Sequence, residues 1–182
     1  MKVLLIGGSG FIGSFTAAAL VKSGHDVTVF HRGKTSMPEG AEEILGDRKF
    51  LQDHQLEFRR QKFDVVVDFV LSSGRQALQL MDTFRGLTSR VVALSSMDVY
   101  RAIGVFHGFE SGLQELPLTE DSDVRTSRNV YSPEALKNVR TVYGWVDDEY
   151  DKIPVEQAVL SDPKLPGTVL RLPMIYGPGD PL

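Results

Sequence analysis

Val3-Leu4-Leu5-Ile6-Gly7-Gly8-Ser9-Gly10-Phe11-Ile12-Gly13 stands at the start of the chain, and its reading decides the fold. Four apolar residues, too few for a helix, run into glycines spaced G-x-x-G-x-x-G, and an apolar segment resumes at Phe11. A short strand, a tight turn and a helix account for that order. Gly7 permits the turn, Gly10 lets an anionic group approach the backbone and the helix N-terminus, and Gly13 allows close helix–strand packing. The bland alternative is a plain strand-to-helix turn of a flavodoxin-like domain, which needs fewer glycines in register. Gly7, Gly10, Phe11, Ile12 and Gly13 are therefore expected to hold a dinucleotide pyrophosphate.

Outward from that turn, apolar runs recur at Val27–Phe30, Val65–Val70, Val91–Leu94 and Val169–Leu172, with helix-length segments between them. Val- and Leu-rich runs without polar alternation are what strands buried on both faces look like. The expected fold is α/β, a doubly wound Rossmann fold with a parallel sheet and helices on both faces. A short extra strand is expected near Glu43–Leu45. Phe11–Lys22 reads as the first crossover helix, closed by Ser23–Gly24, and Gln76–Phe84 as a later one, closed by Gly86. Arg101–Ser132, with three glycines and Pro117, reads as a long loop above the sheet.

At 182 residues, 42% apolar and 24% charged, the chain has material for one core and not for two full lobes. The net charge of −4 gives no general attraction to polyphosphate, and Phe109–Asp123 gathers five carboxylates without a base, so nucleic acid is an unlikely partner. Zero cysteines exclude a disulfide scaffold and a cysteine nucleophile and are compatible with the cytoplasm. The first apolar run is far too short for a signal peptide or membrane span, so no membrane association is expected. No metal site is expected, since His25, His31, His54 and His107 lack partners at ligand spacing.

With the glycine turn, Ser95-Ser96-Met97-Asp98-Val99-Tyr100 after a late strand, and Leu170-Arg171-Leu172-Pro173 with Tyr176-Gly177-Pro178-Gly179-Asp180, the chain resembles the extended or atypical short-chain dehydrogenases/reductases. More narrowly, it resembles the NAD-dependent epimerase/dehydratase group. The three motifs fall in family order and span nearly the whole chain. Residues 1–182 then form an NAD(P)-binding Rossmann domain, expected to be the N-terminal part of a longer protein. The substrate lobe is expected to be largely absent, since relatives of this kind resume after the Gly-Pro-Gly-Asp loop.

The second strand of a dinucleotide fold usually ends in an acid that binds the adenosine ribose. Here it ends in His31-Arg32-Gly33-Lys34, and Arg32 suits a 2′-phosphate, so NADP is preferred to NAD. Arg32 can also be a solvated loop charge or stack on adenine. By resemblance, Asp47 contacts the adenine amino group with Arg48 beside it, although Gly46-Asp47 is also ordinary turn chemistry, and Pro173 packs at the nicotinamide end.

The resemblance further implies that Ser96 is the catalytic hydroxyl, unless Ser95 and Ser96 serve as strand-end caps. Lys152, followed by Glu156, matches the family's lysine, which holds the nicotinamide ribose. Its tyrosine partner belongs four residues earlier, where Asp148 stands instead. On a helix spanning Trp145–Leu160, Asp148 and Lys152 read as an ion pair, and neither Tyr143 nor Tyr150 faces the lysine. Pro154 is expected to kink that helix and re-aim Tyr150 into the site as the replacement phenol.

These residues imply an NAD(P)-dependent epimerase, dehydratase or reductase acting by hydride transfer on a small molecule, a sugar nucleotide or related hydroxy/keto compound, with a homodimer as the expected assembly. The alternative is an NADP-binding module with impaired catalysis, a cofactor sensor or an RNA binder like chloroplast stem-loop-binding relatives.

Overall fold

The computed structural model describes residues 1–128 and 131–180. Six strands, β1 (Lys2–Ile6), β2 (Asp26–His31), β3 (Glu42–Leu45), β4 (Val65–Asp68), β5 (Arg90–Ser96) and β6 (Gly167–Leu172), form one sheet. Its order is β3-β2-β1-β4-β5-β6, with every neighbouring pair parallel. The chain winds from β1 to one edge, then returns to β4 on the other side. A topological switch point therefore opens at the carboxyl end of β1, where such sheets bind ligands.

The alternate residues of β1 explain why its sequence shows no polar alternation. Leu4 and Ile6 join Phe30, Phe58, Leu80 and Phe84 in the core on one face, whereas Val3 and Leu5 join Ala17 and Val29 on the other. Both faces are covered, so both sets must be apolar.

Helices α1 (Phe11–Lys22), α2 (Gln55–Gln61), α3 (Gly74–Phe84), α4 (Arg101–Phe106), α5 (Pro133–Val142) and α6 (Lys152–Leu160) complete the layers. α1 has the expected bounds and ends through Ser23 into Gly24, whose φ of 79° is left-handed. α3 starts before the expected Gln76, because the Ser73 hydroxyl accepts from Gln76 N and caps the first turn. The strand near Glu43–Leu45 is present as β3. Arg101–Ser132 is not loop throughout, since α4 occupies its first six residues. α5 was not legible as a separate helix, although Ser132 caps Ala135 N and Pro133 begins the helix, a regular opening.

The expected helix over Trp145–Leu160 is corrected. Only Lys152–Leu160 is helical, and Asp151 caps it by accepting from Ile153 N at 3.0 Å. Pro154 thus sits in the first turn, where a missing N–H costs no hydrogen bond, and it starts a helix instead of kinking one. No helix among the described residues is long and apolar enough to cross a membrane.

Candidate functional site

The glycine turn lies where the sheet opens. Gly7 N donates to Phe30 O at 3.0 Å, tying the turn to the end of β2, and Gly7 has a left-handed φ of 77°, where a Cβ would also stand 2.7 Å from Val70 Cγ1. A Cβ on Gly13 would stand 2.6 Å from Gly8 Cα and 2.8 Å from Gly7 O, so α1 rests directly on the turn. Gly10 differs. A Cβ there meets nothing nearer than Gly7 O at 3.5 Å, so the protein itself does not require glycine at that point. Gly10 is also the N-cap of α1 and makes no side-chain cap bond, leaving the first-turn N–H groups of Phe11, Ile12 and Gly13 for an outside acceptor. An open approach to an uncapped helix N-terminus fits a pyrophosphate.

A cleft of about 210 Å³ adjoins the turn, lined among others by Ser9, His31, Arg32, Asp47 and Trp145. Arg32 and Lys34 are exposed at its mouth. Asp47 lines the cleft while its carboxylate caps the 3-10 helix Arg48–His54, accepting from Lys49 N at 2.9 Å. Arg48 also lines the cleft. It is buried, with Nε donating to Asp68 Oδ2 at 2.9 Å and Nη2 to Gln76 O at 2.9 Å, so its charge is balanced by a carboxylate of β4. Pro173 follows β6, is exposed and does not line the cleft.

At the carboxyl end of β5, Ser95 donates to Glu156 Oε1 at 2.6 Å, and Arg171 holds the same carboxylate at 2.8 Å. Ser96 Oγ accepts from Asp98 N at 3.2 Å, the capping bond that the sequence left as its alternative role, and the side chain remains half-buried. Lys152 is buried at the start of α6. Its Nζ donates to Leu71 O and to Leu94 O, and lies 5.8 Å from the ring centre of Tyr150 and 5.5 Å from that of Trp145. Burial pulls its pKa down to about 8, with Asp68 and Asp98 opposing the shift.

The expected Asp148–Lys152 ion pair does not form. Asp148 lies in the turn before α6, where it is exposed and reaches Arg75 at 3.5 Å and Arg140 at 3.8 Å. Tyr150 does come to the lysine, through that turn and without any helix kink. Burial first, and the charge of Asp98 second, raise its pKa, so the phenol keeps its proton.

Tyr131 was missed by the sequence reading. Its hydroxyl donates to Asp98 Oδ2 at 3.1 Å, its ring meets Tyr150 edge-on at 5.5 Å, and burial together with Asp98 pushes it up to about 12. Its place at the end of a long glycine-containing segment was the available signal. Behind both phenols, Arg125 pairs with Asp151 at 2.7 Å, both buried, and donates to Asp98 O at 2.8 Å. Tyr131 and Tyr150 line a separate cavity of about 330 Å³ with Leu136, Arg140 and Asp148.

A doubly wound parallel sheet with this turn at its switch point defines a Rossmann-like α/β fold. Residues 3–181 match the NAD dependent epimerase/dehydratase family, and the chain belongs to it. A chloroplast stem-loop binding protein of 41 kDa from Arabidopsis thaliana is 32% identical over 116 residues, covering 54% of this chain and 30% of that protein. UDP-glucose 4-epimerase of Lactobacillus helveticus is 30% identical over 160 residues, covering 81% and 47% respectively. Among solved structures, the Bordetella bronchiseptica enzyme WbmG in complex with NAD and UDP superposes with a TM-score of 0.64 at 15% identity, over 94% of this chain and 52% of that one. The chain thus spans less than half the length of these two curated relatives.

Proposed function

We propose that the chain binds a nicotinamide adenine dinucleotide in the glycine-turn cleft and serves hydride transfer on a sugar nucleotide or related hydroxy/keto compound. The observation that carries this reading is Gly10, a glycine the fold has room to replace, at the uncapped N-terminus of α1. Phe11, Ile12 and Gly13 offer backbone N–H groups to the pyrophosphate, and Gly7 and Gly13 keep the turn close enough for them to reach it. Asp47 meets the adenine, and Arg32 with Lys34 supplies positive charge that suits the 2′-phosphate of NADP. Pro173, which does not line that cleft, is assigned to the nicotinamide end by the family pattern alone. When bound, the cofactor exchanges a hydride with a substrate carbon.

Ser96 orients the substrate oxygen, and Tyr150 holds the proton that this oxygen gains or loses. Lys152 sits beside that phenol, and its burial leaves the ammonium easier to deprotonate than a surface lysine. The UDP-glucose 4-epimerase relatives favour a nucleotide sugar as substrate. A homodimer belongs to the same proposal and is checked by light scattering on the purified protein.

A second reading has its own support. Asp148 replaces the expected tyrosine and is turned toward arginines, and the Lys152 ammonium is engaged by two backbone carbonyls. A cofactor-binding module without turnover fits both facts, and the stem-loop-binding relative adds RNA as a ligand class. Mixing NAD-loaded protein with UDP-glucose or UDP-galactose and following nicotinamide reduction separates the two. Reduction supports the enzyme; its absence, with NAD bound and RNA retarded in a gel, supports the module.

A further inference from the structure

The cavity of about 330 Å³ beside Tyr131 and Tyr150 shares no lining residue with the glycine-turn cleft among the described residues. α5 contributes Pro133, Leu136 and Arg140 to it, and the turn before α6 contributes Asp148 and Tyr150. Its volume lies at the lower end for small-molecule pockets and suits a compound of about monosaccharide size rather than a dinucleotide. The polar lining is rich in donors that the fold leaves unused. Among the described residues the Arg140 guanidinium makes no hydrogen bond; its nearest carboxylate oxygen, Asp148 Oδ1, stands 3.8 Å from Nη2, and 38% of the side chain is exposed. The Tyr150 hydroxyl likewise has no hydrogen-bond partner among them, and it is open to solvent. Tyr131 is committed to Asp98, and both phenols keep their protons near neutrality. A guanidinium and a phenol with free donors, beside apolar Pro133 and Leu136, match a ligand that joins an acidic group to hydroxyl or carbonyl oxygens. Asp148 is the one carboxylate of the described lining. Arg75 holds it from the other side at 3.5 Å, so an entering anion can take Arg140 while Asp148 stays paired.

We propose that this cavity binds a small hydroxy compound carrying one carboxylate or phosphate, with the acidic group on Arg140 and an oxygen on the Tyr150 phenol. The site is a near neighbour of the glycine-turn cleft: Lys152 Nζ lies 5.8 Å from the ring centre of Tyr150 and 5.5 Å from that of Trp145, which lines that cleft. With Tyr150 serving proton transfer as proposed above, the cavity also names a substrate class, a hydroxy or keto compound whose reacting unit is itself acidic. That assignment rests on the role given to Tyr150, whereas the binding site needs no cofactor.

With only five tyrosines in the chain, their ring resonances report locally. The whole chain, labelled on the tyrosine rings, is titrated without cofactor against D-glucuronate, D-glucose 6-phosphate and D-glucose and followed by NMR. The Tyr131 and Tyr150 resonances should shift saturably with at least one of the two acids and not with glucose at the same concentration. The tighter of the two acids identifies the acidic group as carboxylate or phosphate. Arg140→Gln, which breaks no hydrogen bond of the described fold, should weaken that binding about tenfold, the scale of one charged hydrogen bond. Tyr150→Phe should weaken it about fivefold, the scale of a neutral one. Asp148→Asn, which removes the competing carboxylate, should tighten it about threefold. No saturable shift at Tyr131 and Tyr150 with either acid, an equal response to glucose, or Arg140→Gln binding as the wild type does would overturn the proposal. Acid binding by a protein that calorimetry shows to bind no NAD would support the site and overturn the hydride-transfer reading instead.

Discussion

Gly10→Ala and Gly13→Ala should separate what the turn does for the fold from what it does for a ligand. At Gly13 the added methyl would meet three backbone atoms at 2.6–2.8 Å, so α1 must lift from the turn. Such overpacking costs up to about 3 kcal/mol, and the alanine regains about 1 kcal/mol of helix propensity. A net loss of about 2 kcal/mol, roughly 4–8 °C in Tm for a chain of this size, is expected. At Gly10 the methyl meets nothing closer than 3.5 Å, so stability should fall by no more than the loss of a glycine N-cap, under about 1 kcal/mol. The same methyl stands where a pyrophosphate must approach, and NAD affinity should drop at least tenfold, about 1.4 kcal/mol. Thermal unfolding and NAD calorimetry on both variants supply the two readouts. Gly10→Ala binding NAD as tightly as the wild type would refute the assignment of that open side to a ligand.

Arg48→Leu should destabilise by about 3–5 kcal/mol in urea unfolding, because it strands the buried Asp68 carboxylate, and a double change of Arg48→Leu with Asp68→Leu should recover most of the loss. Lys152 releases its proton near pH 8 in the folded chain and near 10.5 when unfolded, so the unfolded state binds more protons between those values and stability rises with pH there. The stability difference between wild type and Lys152→Met should therefore move by up to about 3 kcal/mol in favour of wild type across that window; a flat difference contradicts the buried ammonium. Tyr150→Phe should lower turnover on an identified substrate by about 10²–10⁴-fold with cofactor affinity unchanged. Full turnover in that variant would remove Tyr150 from the chemistry. Asp148→Asn should change stability by less than about 0.5 kcal/mol, since its arginine contacts are exposed.

The sheet, α1 and the glycine turn were legible because their signals are local. A β-strand buried on both faces declares itself by composition, and Gly7, Gly10 and Gly13 act within one turn of chain. The stretch from Trp145 to Tyr150 was not legible, since helical spacing there competes with a cap at Asp151 that only the backbone reveals. Asp148 and Lys152 consequently looked like an i, i+4 pair, although a turn separates the first from the helix carrying the second. Arg48 shows the same limit. Its neighbour Asp47 pointed toward the cleft, but its true partner, Asp68, comes from β4, and pairing across 20 residues leaves no pattern in sequence. Tyr131 reaches Asp98 from 33 residues away, and His31 finds Glu43 only once β2 and β3 are in register.

Whether the turn after β1 holds a nicotinamide dinucleotide can be seen in a crystal structure of the protein grown with NAD. The pyrophosphate should lie against the N–H groups of Phe11, Ile12 and Gly13, with Gly10 beneath it. Density for NAD elsewhere on the chain, or an unaltered cleft at saturating NAD, would contradict it.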